Sequence, residues 1–197
     1  MAFKVIYLTG APAAGKSTVC RKLLSMRKDL KIFEYGKEMS AHLKRSKGAG
    51  NVESQATLRA GTNPYVSQQD IEQVDSLSLE FGARWRSVCH VIIDSHHVTK
   101  EDFGFRISPF TIAKVQNLQP TEIWILYVTA AETIARIAAQ PDGRPEPTRF
   151  EADFHTFTQA SLAAAYGMAG GIPTFLFDSG SQNDQLIETL HRRLDCA

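Results

Sequence analysis

The sequence predicts an α/β fold: a five-stranded parallel sheet with helices on both faces, a small insertion on the substrate side and a short lid. Three observations lead there. Short apolar runs alternate with stretches of helical period, the first run breaks at a glycine and restarts as a helix, and no internal repeat or low-complexity tract interrupts the alternation.

Phe3 to Leu8 is nearly continuous in apolar residues, as expected of a parallel strand covered on both faces. A helix follows from Lys16 to about Leu30, its Val19, Leu23, Met26 and Leu30 recurring at helical spacing. Lys31 to Tyr35 reads as a second strand ending at Gly36, and a polar helix covers Lys37 to Arg45. The stretch from Ser46 to Pro64, rich in Gly, Ser and Asn, leaves room only for a short helix from Val52 to Ala60. Helical period returns from Gln68 to Arg86 through Ile71, Val74, Phe81 and Trp85. Val88 to Asp94 is a buried strand that ends on a carboxylate.

Ser95 to Ser108 reads as irregular, with a short helix starting near Pro109. Ile123 to Val128 is the fourth strand and Ala131 to Ala139 the helix after it. Gln140 to Arg149 holds three prolines in ten residues and must be a loop, here one carrying arginines. A helix from Phe150 to Tyr166 ends near Gly167; Thr174 to Phe177 and Asp184 to Leu194 supply the fifth strand and the closing helix. The whole chain, 1–197, reads as one domain in which 37–86 is an insertion and 140–149 a lid.

Gly10, Gly15, Lys16 and Ser17 fit the spacing Gly, four residues, Gly-Lys-Ser/Thr, and each position has a physical reason. The glycines let the backbone curl with its N–H groups inward. With Ala13, Ala14, Thr18 and the first turn of the helix they form a concave set of donors for the phosphates of ATP. Lys16 adds a mobile positive charge, and the Ser17 hydroxyl is available to Mg²⁺. Asp94, at the end of an apolar strand, is the second metal-side candidate. Ligands of such sheets bind beyond the carboxyl ends of the strands, where Gly10 and Asp94 both fall.

Arg136, Arg144 and Arg149 lie on or beside the lid, where closure would bring guanidinium groups onto a transferring phosphate. Arg59, Gln68, His96 and Arg106 are the candidates for the acceptor: an arginine grips phosphate bidentately, and a glutamine amide reads the paired donor and acceptor edge of adenine.

The chain also resembles the archaeal-type adenylate kinases. Beyond the phosphate loop the likeness rests on Glu34-Tyr35-Gly36, Leu58-Arg59, Ile93-Asp94-Ser95-His96, Ala164-Ala165-Tyr166-Gly167 and Gly170-Gly171, whose order and spacing cover nearly all of the chain. The resemblance implies a P-loop kinase sheet, an insertion that holds a nucleoside monophosphate, an arginine-bearing lid and assembly as a trimer. It implies transfer of the γ-phosphoryl of ATP to AMP with Mg²⁺. A P-loop kinase for another metabolite and a nucleotide switch or assembly ATPase are the alternatives. A monophosphate acceptor brings its own ionised oxygen and requires no general base, whereas an alcohol acceptor requires a carboxylate near its hydroxyl.

Composition narrows the partners. With 22 basic and 21 acidic residues the net charge is +1, so no global field favours nucleic acid or an anionic membrane. No stretch approaches membrane-spanning length. Cys20, Cys89 and Cys196 lack metal-ligand spacing and read as reduced thiols of a cytoplasmic protein whose partners are small nucleotides.

Overall fold

The computed structural model describes residues 3–47, 55–60, 65–180 and 183–195. Five strands, β1 (Val5–Gly10), β2 (Leu30–Glu34), β3 (His90–Asp94), β6 (Glu122–Tyr127) and β7 (Thr174–Asp178), form one parallel sheet in the order β2-β3-β1-β6-β7. The expected fold class is the one observed.

Alternate residues of the central strands feed two different cores, which is why these strands read as unbroken apolar runs. Val5, Tyr7, Val91, Ile93, Ile123 and Ile125 face one side, where helices α2 (Tyr35–Lys47), α4 (Gln68–Trp85), α5 (Ile112–Leu118) and α7 (Arg149–Gly170) supply Leu43, Val74, Leu118 and Ala163. Ile6, Leu8, Ile92, Trp124 and Leu126 face the other. There they meet Val19, Cys20 and Leu23 of α1 (Lys16–Met26) and Leu186, Ile187, Leu190 and Leu194 of α8 (Asn183–Asp195). Period 2 in the strand against period 3.6 in the helix is enough to produce both layers.

Several boundaries differ from the expectations. Gly36 does not stop β2; it lies in the first turn of α2, which begins at Tyr35. The segment expected to be irregular holds an antiparallel hairpin, β4 (Val98–Glu101) with β5 (Gly104–Ile107), whose residues are mixed in polarity and give no clean alternation. Helix α7 runs past Gly167 to a left-handed cap at Gly171, φ 63°. Gly167 is there for close approach: a Cβ would collide with the Thr174 hydroxyl of β7. Short α3 (Gln55–Ala60) and α6 (Ala130–Ala139) complete the element order. Residues 52–54 of the expected insertion helix and Cys196 lie outside the described residues, and Cys20 and Cys89 are buried, free thiols. No described helix is long and apolar enough to cross a membrane.

The sheet edge away from the strand C-termini is tied by a buried ion pair. Lys4 Nζ donates to Glu122 Oε1 at 2.6 Å, while Trp124 Nε1 and Arg193 Nε each donate to Oε2 at 2.7 Å. Burial alone would raise the Glu122 carboxyl, but these three donors outweigh it and hold it below the ordinary carboxylate range. Its contribution to stability is therefore complete above the pKa of an unfolded glutamate and is lost as pH falls through the lower folded value. Glu122→Ala should cost about 3 kcal/mol or more in denaturant unfolding at neutral pH, because Lys4 stays buried without its counter-charge. The acid-side slope of the parent's stability should flatten in Glu122→Gln.

Candidate active site

The carboxyl ends of β1, β3 and β2 open into a cavity of about 820 Å³, lined by the phosphate loop, the insertion, the β4–β5 hairpin and the lid. Leu8 pairs with Asp94 and Asp94 with Glu34 across the three strands, so loop and carboxylates share one edge.

The loop is held in a conformation that its glycines favour and Ala13 does not. Gly10 approaches β6 so closely that a Cβ would strike the Leu126 carbonyl, and Gly15 sits at φ 82°. Ala13 has φ 61° without being glycine, which costs on the order of 1 kcal/mol. Arg136 of α6 holds it there. Its Nη1 donates to the Ala13 carbonyl at 3.0 Å, its Nη2 to the Ser179 and Gly180 carbonyls at 2.8 and 3.2 Å, and its Nε to Glu132 at 2.8 Å. Ser179 adds a bond from Oγ to the Ala14 carbonyl at 2.7 Å. Beyond the loop, α1 begins with no side-chain cap at Gly15 and no acidic residue in its first turn. Its leading N–H groups are thus suited to an external anion.

Lys16 Nζ folds back onto the Gly10 carbonyl at 2.8 Å. Burial lowers its pKa, Asp94 works against that, and Arg144 and Arg59 lower it further. Asp94 is itself lifted to about 6 by burial, with Lys16 opposing and Glu34 adding to the rise. Arg144 is lowered by burial and by Arg59, with Asp142 opposing. Three cations from the phosphate loop, α3 and the lid therefore repel one another across one cleft.

The lid, residues 140–148, rests on the insertion. Asp142 Oδ2 lies 3.5 Å from Arg59 Nη1 and 3.8 Å from Arg144 Nη1. At Gly143, φ 81°, a Cβ would run into the Ala56 carbonyl of α3. This is a closed arrangement, with lid and insertion in contact over the cavity.

Of the sequence-derived candidates, Ala13, Ala14, Gly15, Lys16, Ser17, Thr18, Arg59, Asp94, His96, Arg106, Arg136 and Arg144 line the cleft, and Gly10 anchors its loop. Two do not come into it. Arg149 is exposed in the first turn of α7 rather than on the lid, because Thr148 caps the helix one residue earlier. Gln68 is exposed in the first turn of α4 and turns to Glu72. Arg136, expected at the transferring phosphate, spends its donors on the loop backbone. His96 stays open to water within the cleft but has protein around it; desolvation first and the Lys16 charge second lower its pKa to about 3. Arg106 Nε lies 3.8 Å from Glu101.

Sequence reasoning missed two residues. Glu34 lines the cleft beside Asp94 and pairs with Lys37, and the rule that singled out Asp94, a carboxylate ending a strand, applies to it equally. Gln159 is fully buried on α7. Its Oε1 accepts from the His97 and Val98 N–H groups at 3.1 and 3.0 Å, and its Nε2 donates to Thr9 Oγ1 at 2.9 Å. It thereby ties the segment after Asp94 to the strand before the phosphate loop. No local pattern marks it.

A family model described as AAA domain matches residues 9–152. No curated protein matches the chain in sequence. Among solved structures, a candidate kinase from Chloroflexus aurantiacus is similar, with a TM-score of 0.57 over 99% of this chain and 98% of that one. Sequence identity is 14%, so the likeness is one of fold.

The clamp leads to an expected split between two arginines. Arg136→Ala should lower thermal stability and nucleotide affinity together, by about 1–3 kcal/mol in unfolding, since it leaves carbonyls of a strained loop unpartnered. Arg144→Ala, half-buried on the lid, should leave the unfolding midpoint within the range of an ordinary surface change. Calorimetric unfolding with and without ATP distinguishes them.

Proposed function

Because this chain belongs to the AAA domain family and has the parallel sheet and phosphate loop of a P-loop nucleotide-binding domain, we propose that it is a phosphotransferase. The reaction moves the γ-phosphoryl of ATP, with Mg²⁺, to a nucleoside monophosphate, AMP first among them. The observation that carries the proposal is the convergence of Lys16, Arg59 and Arg144 on one cleft, where burial and the neighbouring cations disfavour the charges of Lys16 and Arg144. Such a cluster is costly alone and is relieved by a polyanion, the more so as charge spreads over the transferring group.

Ser17 and Asp94 are the residues that would hold Mg²⁺. Among the described residues no group of three or more acidic, His or Cys side chains could cage a metal, which suits an ion that keeps its waters and shares phosphate oxygens. When bound it supplies charge neutralisation between the phosphates. Lys16 follows the phosphate charge, the first turn of α1 receives phosphate oxygens, and Arg59 from the insertion grips the acceptor phosphate. Arg144 closes over the transferring group and excludes water from it.

A second reading is favoured by Glu34. Its carboxylate lies at the cleft beside Asp94 and could take the proton of an alcohol acceptor, a function an AMP phosphate does not need. Lys37, paired with it, offsets its charge in the first reading.

Product formation from ATP over a panel of nucleoside monophosphates and small alcohols tests both. ADP should form from AMP at the expense of ATP. Lys16→Ala should fold normally and lose on the order of 10²-fold or more in turnover. Arg59→Ala should raise KM for AMP with much less effect on KM for ATP. Arg144→Ala should lower kcat more than ATP affinity, with poor rescue by Lys. Glu34→Gln should leave AMP turnover within a few-fold; abolition of activity on an alcohol by the same change would establish the second reading. ATP consumption that ignores every acceptor would indicate a switch or assembly ATPase instead.

A further inference from the structure

Away from the phosphate loop the cleft wall becomes apolar, through Met39, Leu58, Val66 and Ile71. One carboxylate interrupts it. Asp75 projects from α4, lines the cavity and is 2% exposed. Tyr35 donates its hydroxyl to Oδ1 at 2.9 Å and Lys114 donates from Nζ to Oδ2 at 2.5 Å. Both partners are themselves fixed: the Tyr35 hydroxyl also lies 3.2 Å from the Ile71 carbonyl, and Lys114, from α5, lies over the Phe110 ring at 6.0 Å. The carboxylate therefore has a set orientation.

A carboxylate offers about four lone-pair positions, and these two donors occupy one on each oxygen. Burial raises the Asp75 pKa, with Lys114 and Tyr35 opposing. The remaining acceptor capacity lies against a ligand cavity, in a desolvated wall where an unmatched acceptor is costly. Tyr35 and His97 line the same region, the His97 ring being held in place against those of Tyr7 and Phe110.

We propose that Asp75 is a specificity-determining residue that accepts a hydrogen bond from the amino group of the acceptor's base, so that the acceptor is an amino-bearing nucleoside monophosphate such as AMP. This rests on the nucleoside monophosphate reading above. An amino group donates and a carboxylate only accepts, so the two match. In the pose that puts ring position 6 against Asp75, the 6-keto oxygen of IMP sets an acceptor against an acceptor, and the N1–H that IMP carries lies one ring position away. Discrimination by buried polar groups of this kind is large compared with that from apolar fit.

Titration calorimetry on the 197-residue chain with AMP and IMP separately tests this without depending on turnover. The parent should bind AMP at least roughly tenfold more tightly than IMP. Asp75→Asn, whose amide can turn its NH₂ toward a keto oxygen, should bring the two affinities to within a few-fold of each other. Tyr35→Phe removes one of the donors that orient Asp75 without touching the carboxylate and should narrow the ratio part way, which provides the test if Asp75→Asn does not fold by thermal unfolding. Equal binding of AMP and IMP by the parent overturns the assignment, and so does an unchanged ratio in a folded variant or binding of neither nucleotide. AMP-selective binding lost in Asp75→Asn, but without ADP formation, would keep this assignment and remove the phosphotransferase reading. ADP formed from AMP with IMP bound and used equally well would do the reverse.

Discussion

Leu8, Asp94 and Glu34 sit in register across β1, β3 and β2, and the chemistry of the cleft depends on that parallel alignment. Strands running the same way end on the same edge, so the phosphate loop and two strand-terminal carboxylates meet without any local sequence specifying the meeting. An antiparallel neighbour would have sent Asp94 to the opposite edge, where Lys4 and Glu122 lie.

The same edge concentrates charge in a poorly solvated space. Burial and the neighbouring arginines disfavour the charges of Lys16 and Arg144, while burial and the Glu34 charge disfavour that of Asp94. A polyanion would relieve the cationic set, a tension the fold creates, rather than add a contact to an indifferent surface. The lid takes part: Asp142 stands between Arg59 and Arg144, and the closed arrangement brings two like charges together that an open one would separate.

Rigidity under this load comes from side chains whose hydrogen bonds tie separate segments together. Arg136 fixes the carbonyl of a left-handed alanine in the phosphate loop, and Gln159 joins the loop's strand to the segment after Asp94. Both act as ties between elements far apart in sequence. The hydrogen bond of Tyr7 with His97, beneath the stacked Phe110 ring, reinforces the second tie from β1.

The sequence alone determined whatever is local and periodic. Gly10 to Thr18 declared the phosphate loop through spacing, the double-faced strands declared the parallel sheet through their unbroken apolar runs, and Asp94 was legible because it ends such a run. What it left undecided depends on approach between distant segments. Glycines show the difference: Gly36 and Gly167 both read as stops, yet the first lies in the opening turn of a helix and the second makes room for Thr174, since glycine permits a turn and a close approach with the same missing Cβ. Arginines show it again. Arg136, Arg144 and Arg149 were alike in sequence, but a guanidinium's role is fixed by the oxygens its backbone position lets it reach. Only tertiary structure gave one to the loop's carbonyls, one to the cleft and one to the exposed first turn of a helix.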